Sequence, residues 1–170
     1  MSLFIRSLTI FLFFFLVSTS FAHAVSLING GVISDAISTP GELDSYTFFA
    51  NAGESVQIRV ADTSNSAFRP RVFLYRPDGS EVTNTNDFSV AQIICPSGKC
   101  TIDATGTYTV VVADWTSNTG TYDIYFTRAP GANEGGALIN GGVISGQIDL
   151  GELDSYTFFA NAGESVQIRV

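Results

Sequence analysis

Between residues 35 and 62 carboxylates are dense, and Asp35, Glu42, Asp44 and Asp62 are the candidate ligands among them, with Asn29 shortly upstream. Oxygen donors at this density suit a hard cation such as calcium, which takes about six to eight oxygens from carboxylates, carbonyls and water. The spacing is not that of an EF-hand loop, so the order of residues alone does not define a cage. A second reading stays open beside the first. Asp44 would accept hydrogen bonds from a neighbouring turn, and the other three would be solvated charges. Two aromatic residues raise a different chemistry. Trp115 in ADWTSNTG follows an apolar run and sits among small polar residues. Exposed, it would stack on a sugar ring or anchor a protein partner; folded inward, it would cover the core. Phe68 in NSAFRPR carries the same two readings, with Arg69 and Arg71 beside it as contacts for an acidic ligand.

Catalytic groups are scarce. The single histidine, His23, lies in an N-terminal stretch that reads as an export signal, so no Ser-His-Asp or Cys-His arrangement and no usual catalytic zinc site is expected. Glycosidase chemistry needs two carboxylates facing each other across a cleft, and Glu42 and Asp44 share one strand edge instead. Nothing resembles a glycine-rich phosphate loop leading into a helix. The expectation is a non-enzyme. The two cysteines, Cys95 and Cys100, stand in CPSGKC, where Pro96 and Gly98 favour a turn. A disulfide closing that short loop is expected, shaping it locally more than stabilising the whole fold. A metal site would need a second Cys/His pair, which is missing.

The elements that position these groups come next. Residues 1–24 hold one cation, Arg6, then the apolar run Leu8–Val17, then Ala22-His23-Ala24. That is the layout of a cleaved secretory signal, and the apolar run is too short to span a bilayer as a helix. Its removal leaves 7 Lys/Arg against 16 Asp/Glu, a formal charge of −9. A chain this acidic repels phosphate backbones, so nucleic acid is not an expected partner. Secreted, periplasmic or cell-surface residence is expected, without membrane insertion after signal cleavage.

Two blocks recur. LINGGVIS occupies Leu27–Ser34 and Leu138–Ser145, and GELDSYTFFANAGESVQIRV occupies Gly41–Val60 and Gly151–Val170. Residues 25–128 form one unit, 129–136 (APGANEGG) read as a linker, and 137–170 read as an incomplete second repeat of the same domain. The first unit alternates apolar and polar residues with period two in SYTFF (45–49), SVQIRV (55–60), GTYTVVVAD (106–114) and GTYDIYFTR (120–128). β-branched and aromatic residues in that period mark strands. NAGE, RPDGS and TSNTG between them are turns. About eight short strands and no amphipathic helix predict an all-β, two-sheet, jelly-roll-like sandwich, followed by a truncated copy. Phe48, Ile58, Leu74, Val110, Val112, Tyr122 and Ile124 are the expected core.

These runs, in this order, resemble one family. GVISDAISTPGELDSYTFFANAGESVQIRV, then FLYRPDG, TGTYTVVV and TGTYDIYF are similar to the bacterial pre-peptidase C-terminal domain, over nearly all of the first unit and the N-terminal third of the second. The resemblance implies a compact sandwich appended to secreted bacterial proteins, often peptidases. It implies collagen binding in some relatives, and in some calcium binding through acidic residues near the first strands, with Asp44 and Glu42 the positions to watch. The chain departs from the family setting in lacking a peptidase domain, in carrying the CPSGKC loop and in its shortened second copy. Three functions follow as expectations: a non-catalytic binding or spacer module of a larger exported protein, with Ca2+ a candidate stabiliser and an extracellular protein or polysaccharide the partner; an accessory domain of a secreted hydrolase; or a self-associating protein whose partial repeat swaps strands with another molecule.

Overall fold

The structure, a computed structural model, describes residues 24–64, 66–98, 100–131 and 135–170. The expected signal segment, up to residue 23, lies outside the described residues, as do residues 132–134 of the expected linker.

Among the described residues nine strands follow one another: β1 (Val25–Ser26), β2 (Gly31–Ile37), β3 (Asp44–Ala50), β4 (Ser55–Asp62), β5 (Pro70–Tyr75), β6 (Glu81–Asn86), β7 (Val90–Cys95), β8 (Gly106–Asp114) and β9 (Gly120–Ala129). They form two sheets, a first in the order β1-β3-β8-β5-β6 and a second in the order β2-β9-β4-β7. Every connection except the β5–β6 hairpin crosses from one sheet to the other. Alternate residues of each strand therefore point into the space between the sheets. The expected all-β sandwich is what the chain forms, and no helix occurs among the described residues.

The seven expected core residues are all buried, from 0% to 2% exposed. Tyr46, Val56, Val60, Val72, Ile93, Tyr108 and Phe126 join them. The ring of Phe48 links the layers, lying 5.5 Å from Tyr108 in its own sheet and 4.6 Å from Phe126 in the other. Each such side chain contributes about 1.5–3 kcal/mol on leaving water. Pro77-Asp78-Gly79 makes the β5–β6 turn: Gly79 takes φ 84° and the Asp78 carboxylate accepts from the Ser80 amide at 2.9 Å. β6 (EVTNTN) has little apolar alternation and sits at a sheet edge, where only Val82 packs partly on the core.

The repeated segment behaves differently from its first copy. Between 137 and 170 no strand forms, and one parallel bridge, Ala137 to Thr157, stands where β1 meets β3 in the first copy. Local turns do recur: the Glu152 amide donates to Asp149 O at 3.1 Å as Glu42 does to Thr39 O at 3.1 Å, and the Glu164 amide to Asn161 O at 3.2 Å as Glu54 does to Asn51 O at 3.1 Å. The reason is partnership. β3 pairs with β8, and β4 pairs with β9 and β7, all from residues 90–129. Turns need only near neighbours in sequence; ladders need a distant strand.

Candidate functional site

The sandwich brings two tyrosines and two of the four expected carboxylates together across its layers. In the second sheet Tyr122 of β9 lies in register between Asp35 of β2 and Asp62 of β4. Tyr46 and Asp44 come from β3 in the facing sheet. The hydroxyls of Tyr46 and Tyr122 are 2.6 Å apart. The Tyr46 hydroxyl donates to Asp35 Oδ2 at 2.8 Å, and the Tyr122 hydroxyl donates to Asp44 Oδ2 at 2.6 Å. Both rings are buried, at 1% and 0% exposure, and burial drives both phenol pKa values upward, so both hydroxyls keep their protons.

Proton arithmetic then constrains the cluster. Three oxygen–oxygen contacts link four groups, and two hydroxyls supply only two protons. With both carboxylates ionised, one contact is a pair of facing lone pairs. Protonation of Asp44 at low pH would complete the chain by reversing the Tyr122 contact, with Asp44 then donating to Tyr122, Tyr122 to Tyr46 and Tyr46 to Asp35. The electrostatics run the same way. Burial raises the Asp44 pKa, and the charges of Asp35 and Glu42 raise it further against the lowering effect of the Tyr122 hydroxyl.

The other two expected cation ligands are committed elsewhere. Glu42 Oε2 accepts from the amides of Ser38 at 2.5 Å and Thr39 at 2.9 Å, closing the turn before β3. Asp62 Oδ1 accepts from the Ser64 amide at 2.8 Å and its hydroxyl at 2.6 Å. Turn capping, considered for Asp44, is thus the work of Glu42 and Asp62, while Asp44 serves the tyrosine pair. Among the described residues no three acidic, histidine or cysteine side chains gather as a metal cage. Two converging carboxylates, each already bonded to a phenol, do not fit a calcium ion that needs about six oxygens or more.

Phe68 requires a correction. It is 1% exposed and stacks on Tyr122 at 6.0 Å, so it is core and not a ligand contact. A loop of small polar residues gave no periodicity from which to read this. Gly120 makes the room, since a Cβ there would lie 2.5 Å from the Phe68 Cβ. Trp115, by contrast, is 48% exposed. Its ring lies 4.7 Å from the Arg71 guanidinium, whose other neighbour is the Phe73 ring at 4.4 Å. Phe73 stacks on Tyr75 at 6.3 Å, and Arg69 lies 4.3 Å over the exposed Phe88. The outer side of β5 and the loop before it therefore carry two guanidinium groups packed on aromatic rings. Arg71 Nε is enclosed there without a hydrogen-bond partner.

Asp114, not foreseen as a site residue, holds the end of this surface. Its carboxylate accepts from the amides of Arg69 at 2.6 Å, Thr116 at 2.7 Å and Asn118 at 2.6 Å. Burial opposes its ionisation, but these amides outweigh burial and keep the carboxyl below its usual range. The Asp-x-Thr spacing after a strand is the signal that would have found it. At the other end of the molecule Cys95 and Cys100 form the expected disulfide, with Cα atoms 4.9 Å apart.

Residues 42–114 match the family described as bacterial pre-peptidase C-terminal domain. No curated protein matches the chain. Solved structures similar to it include the pre-peptidase C-terminal domain of the collagenase from Bacillus anthracis, at 14% identity and a TM-score of 0.47, covering 62% of this chain and 95% of that one. Periplasmic inhibitors of g-type lysozyme (PliG) are similar too. That from Aeromonas hydrophila has 12% identity and a TM-score of 0.47, covering 62% and 95%. That from Salmonella Typhimurium has 18% identity and a TM-score of 0.44, covering 62% and 97%.

Proposed function

We propose, for a chain whose residues 42–114 form a bacterial pre-peptidase C-terminal domain, that it acts as a non-catalytic binding module of an exported protein. Its contact surface in this reading is the strip of Arg69, Arg71, Phe73, Tyr75 and Trp115. The observation that carries the reading is Trp115: it is half-exposed, yet held in place by Arg71 beneath it and by the Asp114-capped loop. A rigid, amphipathic ring beside a guanidinium is the usual make-up of an interaction hot spot. The partner that fits is an extracellular protein or polysaccharide bearing carboxylates, which the guanidinium groups of Arg69 and Arg71 would meet. Export accords with the Cys95–Cys100 disulfide, which persists in oxidising compartments.

Trp115 is the only tryptophan in the chain, so its fluorescence reports on this surface alone. Titration with soluble collagen and with polygalacturonate, an acidic polysaccharide, is the test. Saturable quenching or enhancement with one of them, weakened about tenfold or more by Arg71→Ala, is the expected result. Flat titrations with both, together with unaltered binding of Trp115→Ala in a pull-down, would leave the module as a spacer.

A further inference from the structure

One set of C-terminal strands in this chain meets two N-terminal segments able to complete it. β5–β9 leave slots that β1–β4 fill: β3 lies against β8, β2 against β9, and β4 between β9 and β7. The residues filling them, Leu27–Ser34 and Gly41–Val60, recur letter for letter at Leu138–Ser145 and Gly151–Val170. The recurring segment already holds the turns of the first. Leu138 donates its amide to Thr157 O at 2.7 Å, as Leu27 does to Thr47 O at 2.8 Å, and Gly142 donates to Ile139 O as Gly31 does to Ile28 O, both at 2.8 Å. What it lacks is burial. Phe48 is 2% exposed and its counterpart Phe158 is 47%; Ile58 is 0% and Ile168 is 58%.

The connection permits replacement within one molecule. Asn29 Nδ2 donates to Arg128 O at 2.9 Å, and the Arg128 amide donates to Asn29 Oδ1 at 2.6 Å. The entrance to the slots is thus one side chain away from the exit of β9. Asn140 is the counterpart of Asn29, and the chain between Arg128 and Asn140 can extend roughly 40 Å. We propose that residues 137–170 are a second occupant of the β1–β4 slots in the same molecule. The chain then folds in two frames around a common β5–β9, one closed by residues 25–60 and the other by residues 137–170.

The differences between the copies decide which frame is filled. The first carries Asp35, which accepts from Tyr46; the second has Gly146 at that place, without the acceptor and with a glycine's entropic cost in a strand. The first frame is therefore the ground state and the second a reserve. Exchange has to withdraw four strands from the core, so it is as slow as unfolding.

The test places a carboxylate in one core position at a time. Ile58→Asp in the full chain is expected to remain a monomer with a single cooperative thermal transition, its midpoint lowered by roughly 4–8 °C. Ile58→Asp with Ile168→Asp is expected to lose the transition, and Ile168→Asp alone to melt like the parent. Adding Gly146→Asp to Ile58→Asp restores the acceptor and is expected to raise the midpoint. Loss of cooperative unfolding in both Ile58→Asp and Ile58→Asp/Gly146→Asp would overturn the proposal. So would a folded Ile58→Asp found only as concentration-dependent oligomers, since the repeat would then act only between molecules.

Discussion

Asp44 ties the chemistry of the cluster to a measurable pH dependence. Its carboxyl pKa is raised above 3.8 by burial and by the neighbouring Asp35 and Glu42 charges. A raised carboxyl binds its proton more tightly in the folded chain than in the unfolded one. The resulting stability is fully present below about pH 3.8 and is lost as pH rises through the folded value. Asp44→Asn keeps a donor facing the Tyr122 oxygen and removes the titration. The variant is expected to match the parent near pH 4 and to melt higher than the parent by pH 7, by at most a few degrees because solvent screens a carboxyl this exposed. Parallel melting midpoints across that range would mean that Asp44 holds no proton and that the tyrosine contact is satisfied otherwise. The four groups involved are Asp35, Asp44, Tyr46 and Tyr122. The carboxylates stood out in the sequence by density, but the tyrosines did not: Tyr46 and Tyr122 are 76 residues apart, and only the packing of β3 over β9 makes them neighbours. Residue types announce what a group can do, and the pairing of distant groups is set by topology.

At the scale of elements, alternation was a sound guide wherever both sides of a strand differ. Residues 106–114 were expected as a strand and form β8 over that same span, with Tyr108, Val110 and Val112 inward. The segments at 45–49, 55–60 and 120–128 each extend by only one or two residues. β6 was hidden because an edge strand with one face in water needs few apolar residues, and Phe68 was hidden because a loop residue has no period at all. Its seat also makes a demand on β9. Gly120 opens that strand, and a methyl there would meet the Phe68 Cβ at 2.5 Å and the Ser64 hydroxyl oxygen at 2.7 Å. The Phe68 Cβ lies next to the backbone and cannot swing aside, so the loop itself must shift. Gly120→Ala is expected to destabilise the fold by about 1–3 kcal/mol in chemical denaturation, as overpacking does. An unchanged midpoint would show that Ser64 and Phe68 yield freely, and the stacking of Phe68 on Tyr122 would then count for little.

At the scale of the whole molecule, the question is what residues 135–170 do for the domain they repeat. In the ground-state frame they add no strand to either sheet. They touch the outer side of the second sheet, where Arg59 Nη1 donates to Glu152 O at 3.0 Å and Gly151 lies against Ala61 and Tyr125. That contact includes Ala61, part of a tyrosine and the Arg59 hydrogen bond at a sheet surface, on the order of 1 kcal/mol together. The core, by contrast, is built from Leu27 to Phe126 alone. Deleting residues 132–170 is therefore expected to leave one cooperative transition, with a midpoint lowered by roughly 4–8 °C or less. The same deletion in the Ile58→Asp background removes the second frame and is expected to abolish the transition entirely. The pair of deletions separates two roles that a single one would merge. A parent chain that fails to fold without residues 132–170 would make the repeat a structural cover of the second sheet. A parent that folds, beside an Ile58→Asp chain that folds only when the repeat is present, makes it an alternative half of the domain.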